Sequence, residues 1–135
     1  MIIAVDFDGT IVEHCFPLLG GPVPLAFDYL KQFRDRGARL MLWTMRSDMP
    51  NGDYLSQAVQ LCLDNGVEFD FINRNPEQDG WTTSHKQYAN LYIDDAAFGC
   101  PLIHPSYSDG DPRDNRPYVD WSIVGPSVLK ILPKT

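Results

Sequence analysis

The stretch Ile2-Ile3-Ala4-Val5-Asp6-Phe7-Asp8-Gly9-Thr10 decides how this chain is read. Four apolar residues run straight into a polar turn, the pattern of a buried strand that ends at a surface. Open parallel sheets bind their ligands outside the carboxyl ends of the strands, so Asp6, Asp8 and Thr10 are expected at such an edge. Asp-Gly is ordinary turn chemistry and Asp8 could cap a turn, but a turn has no need of Asp6. At a few per cent per residue type, the four fixed residues of this pattern arise by chance on the order of once in a thousand such chains.

Working outward, apolar runs at 39–43, 69–72 and 90–93, with a shorter one at 101–103, alternate with segments of helical period. Leu25, Tyr29, Leu30 and Phe33 lie on one face of a helix expected over about 24–36, closed by Gly37. A second helix is expected over 54–65, capped by Asp53 and stopped by Gly66, and a short third over 85–89. Segments 14–23, 73–83 and 105–117 read as loops. The last apolar stretch, 119–132, returns to the core as a helix interrupted near Gly125-Pro126. Strand and helix in alternation predict an α/β protein with a parallel, three-layer Rossmann-like sheet.

The chain has 135 residues, the size of one domain with one core, and is expected to form a single unit over 1–135. Hydrophobic residues make up 44% and charged residues 21%, which excludes disordered and collagen-like classes. Eleven Lys plus Arg against eighteen Asp plus Glu give a net charge of −7, which repels nucleic-acid phosphates, so no nucleic-acid partner is expected. Cys15, Cys62 and Cys100 show no paired spacing, which predicts free thiols and a cytoplasmic setting. No apolar stretch has the length of a signal peptide core or membrane span, so no membrane partner is expected.

A second acidic pair, Asp94-Asp95, follows the run Leu91-Tyr92-Ile93 as Asp6 follows Val5. If the two strands are neighbours, the carboxylates converge, and their repulsion is relieved by a hard divalent cation such as Mg²⁺. Thr44 ends another strand and brings a small hydroxyl donor to the same edge. Of the four lysines, Lys86 alone lies in an element leading to the Asp pair, where its ammonium could neutralise a phosphate. Arg46, two residues beyond Thr44, is a candidate for a second anionic group. In the 105–117 loop, Arg113 and Arg116 are candidates for substrate contact; Asp109, Asp111 and Asp114 lack EF-hand spacing and read as solvated. His14, His85 and His104 show no metal-ligand spacing, and Trp43, Trp81 and Trp121 read as core or loop anchors.

The order Asp6-x-Asp8-x-Thr10, Thr44, Lys86, Asp94-Asp95 resembles the haloacid dehalogenase superfamily of phosphohydrolases, over roughly residues 1–100. The resemblance implies a nucleophilic Asp6 that forms an aspartyl-phosphate, and an Asp8 that protonates the leaving oxygen and then activates water. It implies Mg²⁺ held by Asp6, Asp8 through its backbone carbonyl, and Asp94, with Asp95 completing or supporting that shell. Thr44 and Lys86 would grip the phosphoryl group, with Thr10 and Arg46 on the substrate side. The intervals after the first and third strands are too short for a cap domain, so a capless member is implied, its substrate bulky, macromolecular or enclosed by a second subunit.

Three other readings compete. A receiver-like phosphoacceptor module shares the residue types, but there the acidic pair comes first and the lysine last. An inert binding scaffold leaves the full catalytic set unexplained. A nucleic-acid end phosphatase lacks a basic track.

Overall fold

A computed structural model describes residues 1–134. Its elements are β1 (Ile2–Val5), α1 (Ala26–Asp35), β2 (Arg39–Leu42), β3 (Asp48–Met49), β4 (Gly52–Asp53), α2 (Tyr54–Asp64), β5 (Phe71–Ile72), a 3₁₀ turn (Pro76–Gln78), β6 (Leu91–Ile93), β7 (Leu102–Ile103), β8 (Tyr118–Val119) and α3 (Trp121–Leu129). The main sheet has the order β5-β2-β1-β6 and every pairing in it is parallel. The protein is thus α/β, with a four-stranded parallel sheet and three helices in a Rossmann-like arrangement.

Strand order explains where each connection runs. From β1 the chain steps outward through β2 to β5, and α1 and α2 of the two crossovers pack into one cluster on one face, as right-handed connections require. It then returns past β1 to β6, which reverses the direction and sends the 73–90 segment over the other face. The buried clusters follow this division. Ile3, Val5, Leu40 and Leu42 pack with Leu30 and Phe33 of α1, Ala58 and Cys62 of α2, and Trp121 and Val128 of α3. Ile2, Ala4 and Met41 form a smaller cluster with Ala89, flanked by Trp43 and Phe71.

The expected third layer is therefore irregular chain rather than helix. No helix forms at 85–89, because side chains claim the backbone there. Gln78 Nε2 donates to the carbonyls of Ser84 and Lys86, Gln78 Oε1 accepts from the Tyr88 amide, and Gln87 Oε1 accepts from the Asn75 amide. Asn75, Gln78 and Gln87 are buried, and this network satisfies them where a helix ladder would not.

Other expectations need correction too. The run at 101–103 does not join the parallel sheet; Leu102 and Ile103 pair antiparallel with Val119 and Tyr118. A short hairpin, β3–β4, occupies a stretch with no strand signal. Asp53 makes no cap for α2; Asp48 does, its Oδ1 accepting from the amides of Leu55 (3.0 Å) and Ser56 (2.9 Å). The C-terminal helix is unbroken: Pro126 lies within α3, and Gly125 is where α3 meets the Tyr29 ring of α1, a methyl there falling 2.3 Å from Tyr29 Cγ. Among the described residues no helix is long and apolar enough to cross a membrane.

Candidate active site

At the carboxyl edge of β1 the chain turns sharply around one carbonyl. The Phe7 oxygen accepts from the amides of Thr10, Ile11 and Val12, and Gly9 adopts φ +81°, a conformation that favours glycine. Space at Gly9 is equally limiting, since a methyl there would fall 2.0 Å from His14 Nε2. The C-terminal part of the chain fastens this turn from outside: Val119 N–H donates to the Gly9 carbonyl (3.0 Å) and Trp121 Nε1–H to the Thr10 carbonyl (2.7 Å).

Pairing of β6 beside β1 brings the two acidic motifs together. Asp6 N–H donates to the Ile93 carbonyl, and one oxygen each of Asp6, Asp94 and Asp95 lie within 4.8 Å of one another. These carboxylates line a crevice of about 360 Å³, together with Asp8, His14, Phe16, Thr44, Met45, Arg46, Ala96 and Arg116. Burial, then the hydrogen-bonding approach of Asp95 and the charge of Asp94, push the Asp6 carboxyl up to about 8. Burial also works against the Asp95 carboxylate, but hydrogen bonds from His14, Asp6 and Thr10 outweigh it and hold its titration below the usual range.

The two acids of the second pair differ in what already holds them. Asp95 Oδ2 accepts from His14 Nε2 at 2.9 Å, and Asp95 Oδ1 faces the Thr10 hydroxyl at 3.2 Å. Asp94 Oδ1 accepts from the Ala96 amide at 2.8 Å, leaving its other oxygen to the crevice. Three hard oxygen donors converging on one point, one of them reluctant to ionise, are the donor set a small divalent cation takes.

Asp8 lines the same crevice in a different setting. Its Oδ2 and Oδ1 accept from Arg46 Nε and Nη2, each at 2.8 Å, in the planar two-bond geometry of a guanidinium and a carboxylate. Arg46 is 2% exposed, and it also donates from Nη2 to the Leu18 carbonyl (2.9 Å) and from Nη1 to the Tyr54 carbonyl (3.4 Å). Its guanidinium carbon stands 5.0 Å from the centres of the Phe7 and Phe16 rings. Arg46 thus joins the motif turn, the 14–23 flap and the start of α2.

Thr44 stands at the edge as expected. Its amide donates to Asn73 Oδ1 (2.8 Å), and its Oγ1 accepts from the Arg46 amide (3.1 Å). Asn73, held at φ +54° just after β5, is a positioning residue that nothing in the sequence singled out.

Four sequence expectations are corrected by placement. Lys86 is not among the residues lining the crevice; its ammonium stands 5.9 Å from the Tyr92 ring centre, in a depression shared with Trp81, Ser84 and Tyr88. Tyr92 sits at the middle of β6, so Lys86 lies over a sheet face. Arg46 is not a free anion receptor, since four of its five guanidinium N–H groups are engaged inside the protein and its charge is paired with Asp8. Thr10 is fully buried and serves the acids, its hydroxyl accepting from the Asp95 amide (3.2 Å) and facing Asp6 Oδ2 at 3.4 Å. The carboxylate of Asp8 lies outside the three-acid cluster, which leaves its backbone carbonyl as the part of Asp8 suited to a metal. His14, dismissed from spacing alone, is the buried partner of Asp95.

No protein-family model matches this chain, and no curated protein is significantly similar to it. The solved structure of a conserved protein coded by a locus from Bacteroides thetaiotaomicron is similar at 35% identity, covering 100% of this chain and 93% of that one, with a TM-score of 0.73.

Proposed function

The chain belongs to the family of that conserved Bacteroides thetaiotaomicron protein, and from its site we propose that it is an Mg²⁺-dependent phosphomonoester hydrolase, working through an aspartyl-phosphate at Asp6. The observation that carries this reading is the convergence of Asp6, Asp94 and Asp95 within 4.8 Å at the carboxyl edge of two parallel neighbours, in a crevice shared with Asp8 and Thr44. The motif order supports assigning the fold to the haloacid dehalogenase type, without a cap.

Asp6, Asp94 and the Asp8 carbonyl would hold the cation, with Asp95 supporting them through Thr10 and His14. Such a cation, when bound, neutralises phosphoryl oxygens and lowers repulsion between them and the acids. Asp6 attacks phosphorus with one carboxylate oxygen; a bond forms from that oxygen to phosphorus, and the bond from phosphorus to the ester oxygen breaks. The departing oxygen takes a proton. In the second half, water attacks the same phosphorus, loses a proton, and releases Asp6 and inorganic phosphate. Asp8, in the crevice wall, would give the first proton and accept the second once its carboxyl turns away from the two Arg46 bonds that hold it here. Thr44 donates its hydroxyl to a phosphoryl oxygen, and Asn73 sets the turn that presents it.

The test is Mg²⁺-dependent phosphate release from a broad panel of phosphomonoesters, beside folded Asp6→Asn and Asp8→Asn proteins. The expected result is turnover that chelation removes and that both substitutions abolish. Absence of turnover on every ester overturns the reading; durable phosphorylation of Asp6 in its place points to a phosphoacceptor module.

A further inference from the structure

A phosphoryl group at Asp6 brings negative charge to a crevice that already holds four carboxyl groups, and the lysine expected to balance it lies elsewhere. Two arginines line the crevice, Arg46 and Arg116, beside His14, which is already paired with Asp95. Arg46 is buried and its charge is already paired with Asp8. Arg116 is exposed, and among the described residues its guanidinium has neither an ion-pair partner nor a hydrogen-bond acceptor; only its backbone amide is used, donating to Asp114 Oδ1 at 2.9 Å. Resting on the phosphohydrolase reading, we propose that Arg116 is the catalytic cation of this site: its guanidinium binds the phosphoryl oxygens during transfer, in place of Lys86.

The loop that carries Arg116 is anchored onto the site. Arg113 donates from Nη1 to Glu13 Oε2 at 2.9 Å and pairs with Asp111 through Nε and Nη2, at 3.0 and 2.8 Å. Its guanidinium stacks 3.9 Å from the Tyr107 ring centre. The Asp114 amide donates to the His14 carbonyl, and the Tyr107 amide to Asn115 Oδ1. Glu13 and His14 belong to the turn beside Asp6, and His14 also holds Asp95. The base of the loop is tied by Val119 to Gly9. Arg113 is therefore a positioning residue and Arg116 the contact, two roles that sequence left undivided.

An arginine suits the task. Its planar fork meets two phosphoryl oxygens at once, and its charge is permanent, so it serves a group whose charge spreads over equatorial oxygens as the transfer proceeds. Contact made mainly in the transition state lowers kcat more than it raises KM.

The experiment compares Arg116→Ala, Arg116→Lys, Arg113→Ala and Lys86→Ala with the unsubstituted protein, in Mg²⁺, on p-nitrophenyl phosphate and on the best ester of the panel. Orthovanadate, a mimic of the pentacoordinate phosphoryl group, is measured separately by its effect on thermal melting of each protein. Arg116→Ala is expected to lose about a hundredfold in kcat, to lose the vanadate shift, and to melt as the unsubstituted protein does, since its guanidinium makes no internal bond. Arg116→Lys restores part of both signals. Arg113→Ala weakens vanadate binding together with melting temperature, as loss of an anchor does. Lys86→Ala keeps kcat and the vanadate shift within about twofold. Loss of kcat and vanadate binding in Lys86→Ala, with both retained in Arg116→Ala, overturns the proposal while leaving the phosphohydrolase reading in place. If the unsubstituted protein neither turns over an ester nor binds vanadate in Mg²⁺, the underlying reading falls and this one with it.

Discussion

Raising the pH of the metal-free protein should destabilise it through Asp6, and the effect should vanish in Asp6→Asn. Burial first, then Asp95 and Asp94, lift the Asp6 carboxyl from 3.8 in an unstructured chain to about 8 in the fold. Between those values the folded protein binds a proton that the unfolded chain has released, so stability is full at low pH and declines as pH rises towards 8. Each pH unit in that window costs about 1.36 kcal/mol, which sets an upper limit of about 4 kcal/mol between pH 5 and pH 8. The crevice opens to water and salt screens its charges, so a loss of about 2–4 kcal/mol is expected, equivalent to roughly 6–15 °C in melting temperature for a chain of this size. The assay is thermal melting at pH 5 and pH 8 in chelator, repeated with millimolar Mg²⁺, on the natural sequence and on Asp6→Asn. Subtracting the variant removes the contribution of every other titrating group. Mg²⁺ should recover the loss at pH 8 and do little at pH 5, where protons compete with it for Asp6. Equal pH dependence in the two proteins, or an Mg²⁺ effect that ignores pH, would refute the carboxylate-cluster reasoning.

Arg46→Met should cost about 3–5 kcal/mol, because it leaves the Asp8 carboxylate facing a guanidinium-sized hole and cuts the tie from the flap to α2; chemical denaturation measures it, and a cost below about 1 kcal/mol would contradict the ion-pair geometry. Asp48→Ala should lower stability by about 0.5–2 kcal/mol by uncapping α2, whereas Asp53→Ala should be close to neutral, a contrast readable by melting of the two variants side by side. Gly125→Ala should destabilise by roughly 1–3 kcal/mol, since its methyl would meet the Tyr29 ring, and pairing it with Tyr29→Ala should relieve part of that loss in a double-mutant cycle.

The carboxyl-edge acids were legible because their position follows from a rule about strands: an apolar run that ends in Asp puts that Asp at the edge. Asp6, Asp94 and Thr44 needed only the strand register to meet, and β6 beside β1 supplies it. Residues whose role depends on what the intervening chain does were not legible. Lys86 follows from a helix at 85–89, and that helix loses to Gln78 and Gln87, whose side chains reach backbone groups ten and twelve residues away. Arg46 read as a receptor for a second anionic group because the flap that buries it, closing through Val12 and Pro22, carries no periodic signal. His14 and Asn73 act through single contacts across 81 and 29 residues of chain, a separation that composition and spacing do not encode.

The same separations show why the site needs the end of the chain although the motif set stops at Asp95. Thr10 and His14 fix Asp95, and both sit in a turn with little helix or strand of its own. What holds that turn is mostly donated from elsewhere: Val119 and Trp121 bond its carbonyls, Arg113 pairs with Glu13, and Arg46 reaches across from the end of β2. A short turn on the carboxyl edge of a four-stranded sheet has few neighbours to order it. In this chain the stretch from Pro105 to Trp121 supplies them, ordering the acids from the side while leaving the crevice open between Phe16, Met45 and Arg116. On the phosphohydrolase reading, an opening lined by Phe16, Met45 and Arg116 would admit the ester end of a larger molecule as readily as a small one. If the site is a phosphohydrolase, the discrimination it can exert lies in how a substrate meets Phe16 and Met45, beside the acidic cluster.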